Sequence, residues 1–239
     1  MKKQFRSIVQ KFKGKDYIPD ERIPAYYLLG LVISRSIMAA RGGISRVRHK
    51  GFLFIAGNVT IKARSKMKAG KTVSIARGCF IDALSTDGVE LGDNVSMGRN
   101  TRLECTGDLQ SIGKGIKVGN NTGLGADSFF GCSGGIKIGD DTIIGNYVSF
   151  HAENHVFNDL AIPIRLQGSS RKGITVGRNC WIGAKATILD GAEIGDGCII
   201  AAGAVVTEGK YESNGIYGGV PAQLLKYRDQ HASPTNPGQ

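Results

Sequence analysis

Three residues capable of proton transfer lie close together in the chain, at His151, Glu153 and His155. An imidazole has a pKa near ~6.5, so His155 could take a proton from a hydroxyl group at neutral pH and return it to a leaving group. Glu153 or a backbone carbonyl could orient the ring, and the sequence does not choose between them. A zinc site would need three histidines. His49 and His231 lie far away in the terminal segments, so we predict no metal centre.

A six-residue repeat determines where these residues stand. An aliphatic residue recurs at every sixth position, at Val176, Ile182, Ile188, Ile194, Ile200 and Val206. A small residue follows four positions later in each repeat, at Cys180, Ala186, Ala192, Cys198 and Ala204. Gly177, Gly183 and Gly195 follow the aliphatic residue in three of these repeats. Asn179 or Asp196 comes next, where we expect a tight corner that requires positive φ. Each repeat therefore predicts one short strand and one corner.

The same register occurs upstream in residues 91–103, 118–130 and 138–150, and more loosely in residues 55–81. Three hexads would close one triangular turn, so we predict an all-β solenoid for residues 51–207. The phase of the repeat predicts that Cys180 and Cys198 are core residues and that Trp181 points outward. Two interruptions, at residues 104–117 and 151–175, must leave the solenoid as loops, which commonly carry function. His155 lies in the longer one.

Residues 1–50 contain 12 Lys or Arg and three acidic residues, and thus hold +9 of the net charge of +11. They also contain an apolar run from Ile23 to Met38, which is shorter than the ~20 residues that cross a bilayer. We predict a helix or helical hairpin that lies in a membrane interface, covers the open first coil, or does both. The flanking cations are Lys11, Lys13, Lys15, Arg41, Arg46 and Arg48. They favour a lipid surface over nucleic acid, for which the chain has no docking motif.

The cysteines indicate a reducing compartment. The chain has five, none in a C-x-x-C pair, and an odd number is typical of free thiols. The N-terminal residues lack an apolar stretch of signal-peptide length followed by a small-residue cleavage site. We therefore expect a cytoplasmic protein, at the inner face of the membrane if the first segment binds lipid.

The order of several motifs resembles that of the hexapeptide-repeat O-acetyltransferases, most closely the galactoside, maltose and capsule-polysaccharide acetyltransferases of bacteria. The motifs are the hexads, ENHVF, a loop ending in RKGITVG, CWIGAKATILDGAEIGDGCIIAAGAVV and GGVPAQLLKYR, within residues 50–228. The resemblance implies a left-handed parallel β-helix, an exception to the usual right-handed crossover. It also implies a homotrimer with active sites between subunits. Acetyl-CoA would be the co-substrate, and the acceptor a saccharide hydroxyl, such as that of a lipid-linked polysaccharide precursor.

For the donor, the resemblance implies that Trp181 packs along the pantetheine arm of coenzyme A. The backbone N–H groups of Ala184 and Ala202 would bind the pantetheine amides. The phosphates need cations, and the candidates are Lys185, Lys210, Lys226 and Arg228. The last three belong to a C-terminal tail, residues 208–239, whose end we expect to be disordered. The sequence departs from the family pattern at Glu208 and Gln223, where the family usually has Lys or Arg.

For the acceptor, the resemblance implies that His155 is the general base. Candidate acceptor contacts are Asp127, Phe129, His151 and Glu153. Three alternatives remain open: an N-acyltransferase of an amino sugar or antibiotic, a zinc hydratase resembling the γ-type carbonic anhydrases, and a non-catalytic hexad-repeat scaffold. The chain lacks the third nearby histidine that a zinc hydratase would need. A non-catalytic scaffold would not explain why His155, Trp181 and the VPA motif occur together.

Overall fold

The computed structural model describes residues 19–20 and 22–228. One helix, α1 (Ala25–Ile44), precedes the strands, and two short 3-10 helices lie at Arg64–Lys66 and Ile164–Leu166. The strands in chain order are β1 (Arg48–His49), β2 (Leu53–Ile55), β3 (Thr60–Lys62), β4 (Met67–Ala69), β5 (Val73–Ile75), β6 (Phe80–Asp82), β7 (Gly88–Leu91), β8 (Ser96–Met97), β9 (Arg102–Glu104), β10 (Gly115–Val118), β11 (Gly123–Leu124), β12 (Phe129–Gly131), β13 (Ile136–Ile138), β14 (Ile143–Ile144), β15 (Ser149–His151), β16 (Asn154–His155), β17 (Ser169–Ser170), β18 (Ile174–Val176), β19 (Trp181–Ile182), β20 (Thr187–Leu189), β21 (Ala192–Ile194), β22 (Ile199–Ile200), β23 (Val205–Val206), β24 (Gly209–Tyr211), β25 (Gly215–Gly218) and β26 (Gln223–Tyr227).

These strands form the three faces of a triangular prism. Face A contains β1, β4, β7, β10, β13, β18, β21 and β24; face B contains β2, β5, β8, β11, β14, β19, β22, β25 and β26; face C contains β3, β6, β9, β12, β15, β20 and β23. Seven successive coils each contribute one strand to each face in turn, and the last coil adds β24 and β25. The strands of successive coils pair in parallel and in register, and β26 pairs with β25 antiparallel. We number the coils 1 to 8 by their strand on face A. The fold is a left-handed parallel β-helix, as predicted.

The core is filled by the inward positions of the hexads. All six aliphatic residues from Val176 to Val206 are buried, as are Cys180 and Cys198. Burial raises the pKa of Cys180 to about 11, which leaves its thiol protonated and unreactive at neutral pH. In coils 4 and 5 the aromatic rings of Phe130 and Phe150 stack with their centroids 4.9 Å apart. The prediction of core cysteines is confirmed.

The corners differ from the prediction in which residue takes positive φ. Asn179 does so, with φ of 55°, but in the later repeat Gly197 (70°), not Asp196, has the left-handed conformation. The glycines that follow the aliphatic residues serve close stacking of coils instead: a Cβ at Gly177 would lie 2.6 Å from the backbone N of Asp196. Asp196 uses its carboxylate to accept the N–H of Arg178, at 2.9 Å. Neighbouring coils therefore approach too closely there for any side chain.

The N-terminal apolar run forms a single helix, not a hairpin, and it continues six residues past Met38 to Ile44. It packs against the first coils: Leu28 and Gly42 are buried, and Arg35 Nη1 donates to Ser74 Oγ at 2.8 Å. A Cβ at Gly42 would collide with the carbonyl oxygen of Leu53, so this glycine permits the contact. None of the helices among the described residues is long and apolar enough to span a membrane. The predicted flanking lysines at positions 11, 13 and 15, and residues 229–239, lie outside the described residues.

Candidate functional site

Both interruptions of the hexads leave the prism at the same place, the corner where face C ends and face A begins. The first runs from residue 105 to 114, between β9 and β10, and the second from 152 to 173, between β15 and β18. Each is slightly shorter than predicted, because their flanking residues pair in the sheets. We call this corner C–A, and the second loop the excursion loop.

The excursion loop carries His155 on a two-stranded antiparallel hairpin. His155 in β16 pairs with Ser169 in β17. Asp190, which is only 1% exposed, holds the returning strand of the loop. Its carboxylate accepts the N–H of Lys172, at 3.0 and 2.9 Å, and the N–H of Gly173, at 2.7 Å. The base of the hairpin is thus fixed to coil 6 by charge-assisted hydrogen bonds.

A second anchor joins the two loops. Arg171 Nε donates to the carboxylate of Glu153, at the outgoing end of the excursion loop. Arg171 Nη1 also donates to the backbone oxygen and the hydroxyl of Ser111 in the first loop, both at 3.1 Å. Glu153 is therefore engaged with Arg171. Within the described residues, no hydrogen bond or ion pair involves the His155 ring, which is exposed.

The outward positions of face C bring a histidine and an aromatic ring together beside this corner. The rings of His151 and Phe129 lie 5.6 Å apart, centroid to centroid. Gly131 makes this possible, because a Cβ there would stand 3.1 Å from Phe129 Cε1. Burial lowers the pKa of His151 from its usual value, which favours the neutral imidazole at pH 7.

Trp181 lies on the outer surface of face B, as the phase of the hexads predicts. It is 55% exposed and pairs with Ile143 in the coil below and Ile199 in the coil above. Ile143 is 63% exposed. In the same column Ile216 follows, and it pairs with Lys226 of β26. Face B thus presents a column of apolar side chains, exposed at Ile143 and Trp181 and half-buried at Ile199 and Ile216, that ends near a lysine.

Backbone N–H groups remain available at the corner between faces B and C, here called corner B–C. Lower down this corner, Asn146 Oδ1 accepts the N–H of Ala126 at 2.8 Å. The equivalent positions in coils 6 and 7 are Ala184 and Ala202, which lack a side chain that could do the same. Among the described residues, no acceptor binds the N–H of either alanine, and both alanines are exposed. The two groups can therefore bind acceptors of a ligand.

The other predicted contacts occupy separate places. Lys185 follows Ala184 in the corner B–C turn, with φ of 61°. Arg228 donates to the carbonyl oxygen of Gly197 at 2.9 Å, which fixes its guanidinium at the corner between faces A and B. Asp127 also lies at corner B–C, where it accepts a 2.8 Å hydrogen bond from Asn100 and pairs with Arg99 at 3.6 Å. Asp127 therefore stabilises stacked corners, apart from the loop that carries His155.

One chain does not bring the two predicted halves of the site together. Phe129, His151, Glu153 and His155 gather at corner C–A, whereas Trp181 and the alanine N–H groups lie on face B and corner B–C. In a triangular cross-section, face B is opposite corner C–A. A cleft of about 400 Å³ lies on face A, and none of the predicted site residues lines it. Among the described residues, no group of three His, Cys, Asp or Glu is placed to hold a metal ion.

Sequence reasoning missed the two anchors of the excursion loop, Arg171 and Asp190. Asp190 lies two residues after the inward Ile188, where coils 3, 4 and 5 have Cys105, Cys132 and Ala152, so an acidic residue at this position departs visibly from the pattern. The partner of Arg171 in the first loop, Ser111, is 60 residues away along the chain, and no periodic signal connects them.

Comparisons with known proteins match two stretches of the repeat region. The model of the bacterial transferase hexapeptide (six repeats) matches residues 173–208, and that of the hexapeptide repeat of succinyl-transferase matches residues 115–148. A probable acetyltransferase of Mycobacterium tuberculosis, Rv3034c, is 28% identical over 100 residues, which are 42% of this chain and 33% of that protein. The chain thus aligns with about a third of the length of this relative.

Solved structures share the fold. A variant of AntD, an N-acyltransferase from Bacillus cereus in complex with dTDP-4-amino-4,6-dideoxyglucose and coenzyme A, superposes with a TM-score of 0.51 at 20% identity, covering 77% of this chain and 84% of that one. AntD in complex with dTDP and 3-hydroxybutyryl-CoA also gives a TM-score of 0.51, at 19% identity, covering 74% and 80% of the two chains.

Proposed function

We propose that this chain is a hexapeptide-repeat acetyltransferase, since two hexapeptide-repeat transferase models match residues 115–148 and 173–208, and that it transfers an acetyl group from acetyl-CoA to a hydroxyl group of a saccharide. The observation that carries the proposal is the hairpin at corner C–A. It holds an exposed imidazole, that of His155, on a base fixed by Asp190 and Arg171.

In the proposed reaction, His155 removes the proton from the acceptor hydroxyl as its oxygen attacks the thioester carbonyl carbon. The tetrahedral intermediate then collapses, the C–S bond breaks, and the imidazolium returns the proton to the thiolate of coenzyme A. No group of the protein becomes acetylated. Phe129 and His151 lie beside the hairpin and are the proposed acceptor contacts, with the phenyl ring as an apolar platform for a sugar.

The donor site is proposed on face B. Trp181 offers an exposed indole for the pantetheine arm, and the N–H groups of Ala184 and Ala202 offer two donors, one coil apart, for its amide oxygens. The proposed phosphate contacts are Lys185, which follows Ala184 at corner B–C, and Lys226 on β26, which pairs with Ile216. Arg228 is a weaker candidate, because its guanidinium already binds the carbonyl of Gly197.

Since face B lies opposite corner C–A, a complete site requires two chains: one presents His155, and its neighbour presents Trp181. A threefold arrangement of identical chains satisfies this requirement three times with one type of contact. We therefore propose a homotrimer with the reaction in the grooves between prisms. A saccharide linked to lipid or nucleotide fits an open groove of this kind, because the carrier can extend past the prism.

The test is release of the coenzyme A thiol from acetyl-CoA in the presence of a panel of nucleotide sugars and lipid-linked saccharides. His155→Ala should lower the acceptor-dependent rate by ~10² or more, since that is the usual contribution of a general base. His49→Ala, far from the loop, is the matched control and should keep the rate. Light scattering should show that both variants keep the oligomeric state of the wild type. An undiminished rate in His155→Ala would remove this residue from the mechanism.

The same panel separates the remaining alternatives. Acetylation only of amino sugars would identify an N-acyltransferase, the activity that AntD carries in its name. A lack of thiol release with every acceptor, together with a lack of coenzyme A binding, would favour a non-catalytic scaffold. The M. tuberculosis relative is described as a probable acetyltransferase, which supports acetyl as the first donor to try.

A further inference from the structure

We infer that α1 is a membrane-binding helix, whose outward face enters the interface of an anionic lipid bilayer while its inner face packs on the first coils. The inference stands on the helix and its surroundings, and it does not depend on the proposed transfer reaction.

The helix has two opposite faces. Leu28, Arg35 and Gly42 lie seven residues apart, on the side that contacts the prism. On the other side an apolar stripe points away from the prism: Tyr26, Leu29, Ile33, Ile37 and Ile44. At ~100° per residue these five positions lie within about 60° of one direction. The stripe is therefore a single surface, and it is directed away from the rest of the chain.

The stripe is exposed along its whole length. Tyr26 and Ile44, at its two ends, are 78% and 80% exposed. They are separated by about 27 Å at 1.5 Å of rise per residue. Contiguous apolar surface of this kind on a soluble chain marks an interaction site. Because α1 is not long and apolar enough to span a bilayer, a helix lying in the plane of the interface is the remaining membrane geometry.

The charge around the stripe selects the partner. Residues 22–81, which comprise α1 and almost all of coils 1 and 2, contain 12 Lys or Arg and no acidic residue. Among the described residues, carboxylates pair with only two of these cations, Arg22 and Lys62. The exposed cations without a carboxylate partner include Arg41, Arg46, Arg48, Lys50, Lys66, Lys68, Lys71 and Arg77.

An anionic bilayer fits both the apolar stripe and the cations around it. The apolar side chains would enter the boundary of the acyl chains, and the cations would bind lipid phosphates. Nucleic acid or a second copy of the chain would fit only one of these two features. Nucleic acid would use the cations and leave the stripe in water. A second copy of the chain could cover the stripe but would bring an equally positive surface against this one, which like-charge repulsion opposes.

The experiment uses the full chain and measures co-sedimentation with two kinds of vesicle, phosphatidylcholine alone and phosphatidylcholine with about 30% phosphatidylglycerol. The test variant is Ile33→Glu with Ile37→Glu, on the stripe. The matched control is Ser34→Glu with Ser36→Glu, which adds the same charge to exposed positions of the same helix outside the stripe. Circular dichroism checks that both variants keep the fold, which is expected because all four side chains are exposed.

The wild type should bind the anionic vesicles and bind the neutral ones at least tenfold more weakly. The stripe variant should lose about tenfold or more of the binding to anionic vesicles, whereas the serine variant should lose much less. Equal losses in the two variants, or no vesicle binding by the wild type, would overturn the inference. A smaller oligomer for the stripe variant alone, by light scattering, would assign the stripe to a second copy of the chain and would also overturn it.

Discussion

Replacing Asp190 with alanine should release the excursion loop while the prism stays folded. The carboxylate accepts the N–H groups of Lys172 and Gly173 inside the chain, at 2.7 to 3.0 Å. Hydrogen bonds to a charged group contribute about 1.5–3 kcal/mol each. The loss of both therefore costs about 3–6 kcal/mol in the local stability of the loop base. Asp190→Asn keeps one acceptor oxygen without the charge, so it should cost about half as much.

Hydrogen exchange measures this directly. At about 1.4 kcal/mol for each factor of ten, the amides of Lys172 and Gly173 should exchange roughly 10² to 10⁴ times faster in Asp190→Ala. Amides on face B, such as that of Ile182, should keep their protection. Because His155 stands on this loop, acceptor-dependent thiol release should decrease as well, while acetyl-CoA binding stays unchanged. Unchanged exchange of the two amides, or loss of protection throughout the chain, would refute the assignment of Asp190 as a local anchor.

Two further predictions concern face B and His151. Trp181→Ala should raise the KM for acetyl-CoA about tenfold with little change in kcat, whereas Tyr27→Ala, an aromatic residue of nearly equal exposure on α1, should leave both constants unchanged. Equal effects of the two changes would contradict a donor site on face B. Burial lowers the pKa of His151, so the unfolded chain binds this proton more tightly. The free energy of unfolding should therefore fall as the pH drops below the unfolded pKa of ~6.5. Chemical denaturation of His151→Gln should lack this part of the pH dependence; the same pH profile in both proteins would exclude His151 as its source.

The prism could be predicted because each coil contacts only its neighbours. An aliphatic residue at every sixth position therefore fixes its own place in the core, and Trp181, one residue before Ile182, must point outward. The corner chemistry was less readable. Close stacking at Gly177 depends on the coil above, which a local propensity for positive φ does not describe. The end of α1 at Ile44 could not be predicted either. Gly42 permits close contact with Leu53 and does not end the helix.

The loops could be located but not their anchors. Their positions follow from where the hexads stop, and His155 follows from the loop. The contacts of Arg171 join residues 18 and 60 positions apart, outside any repeat. Glu153 was a reasonable partner for His155 by proximity in sequence, but in the structure its carboxylate accepts a hydrogen bond from Arg171. Face B lies opposite corner C–A because the cross-section of the prism is a closed triangle. The repeat in the sequence does not show this opposition.

The ladder of side-chain oxygens at the corners has a consequence for any ligand. At the corner between faces A and B, Asp93, Asn120 and Asp140 each accept an N–H from the coil beneath. At corner B–C this series of side-chain oxygens stops at Asn146, because the next two coils have Ala184 and Ala202 at the same position. A bound molecule with two carbonyl oxygens about 4.8 Å apart, the spacing of adjacent strands, would supply the missing hydrogen-bond acceptors. Such a molecule would act as a piece of the fold itself, and it would raise the melting temperature of the upper coils as its concentration increases.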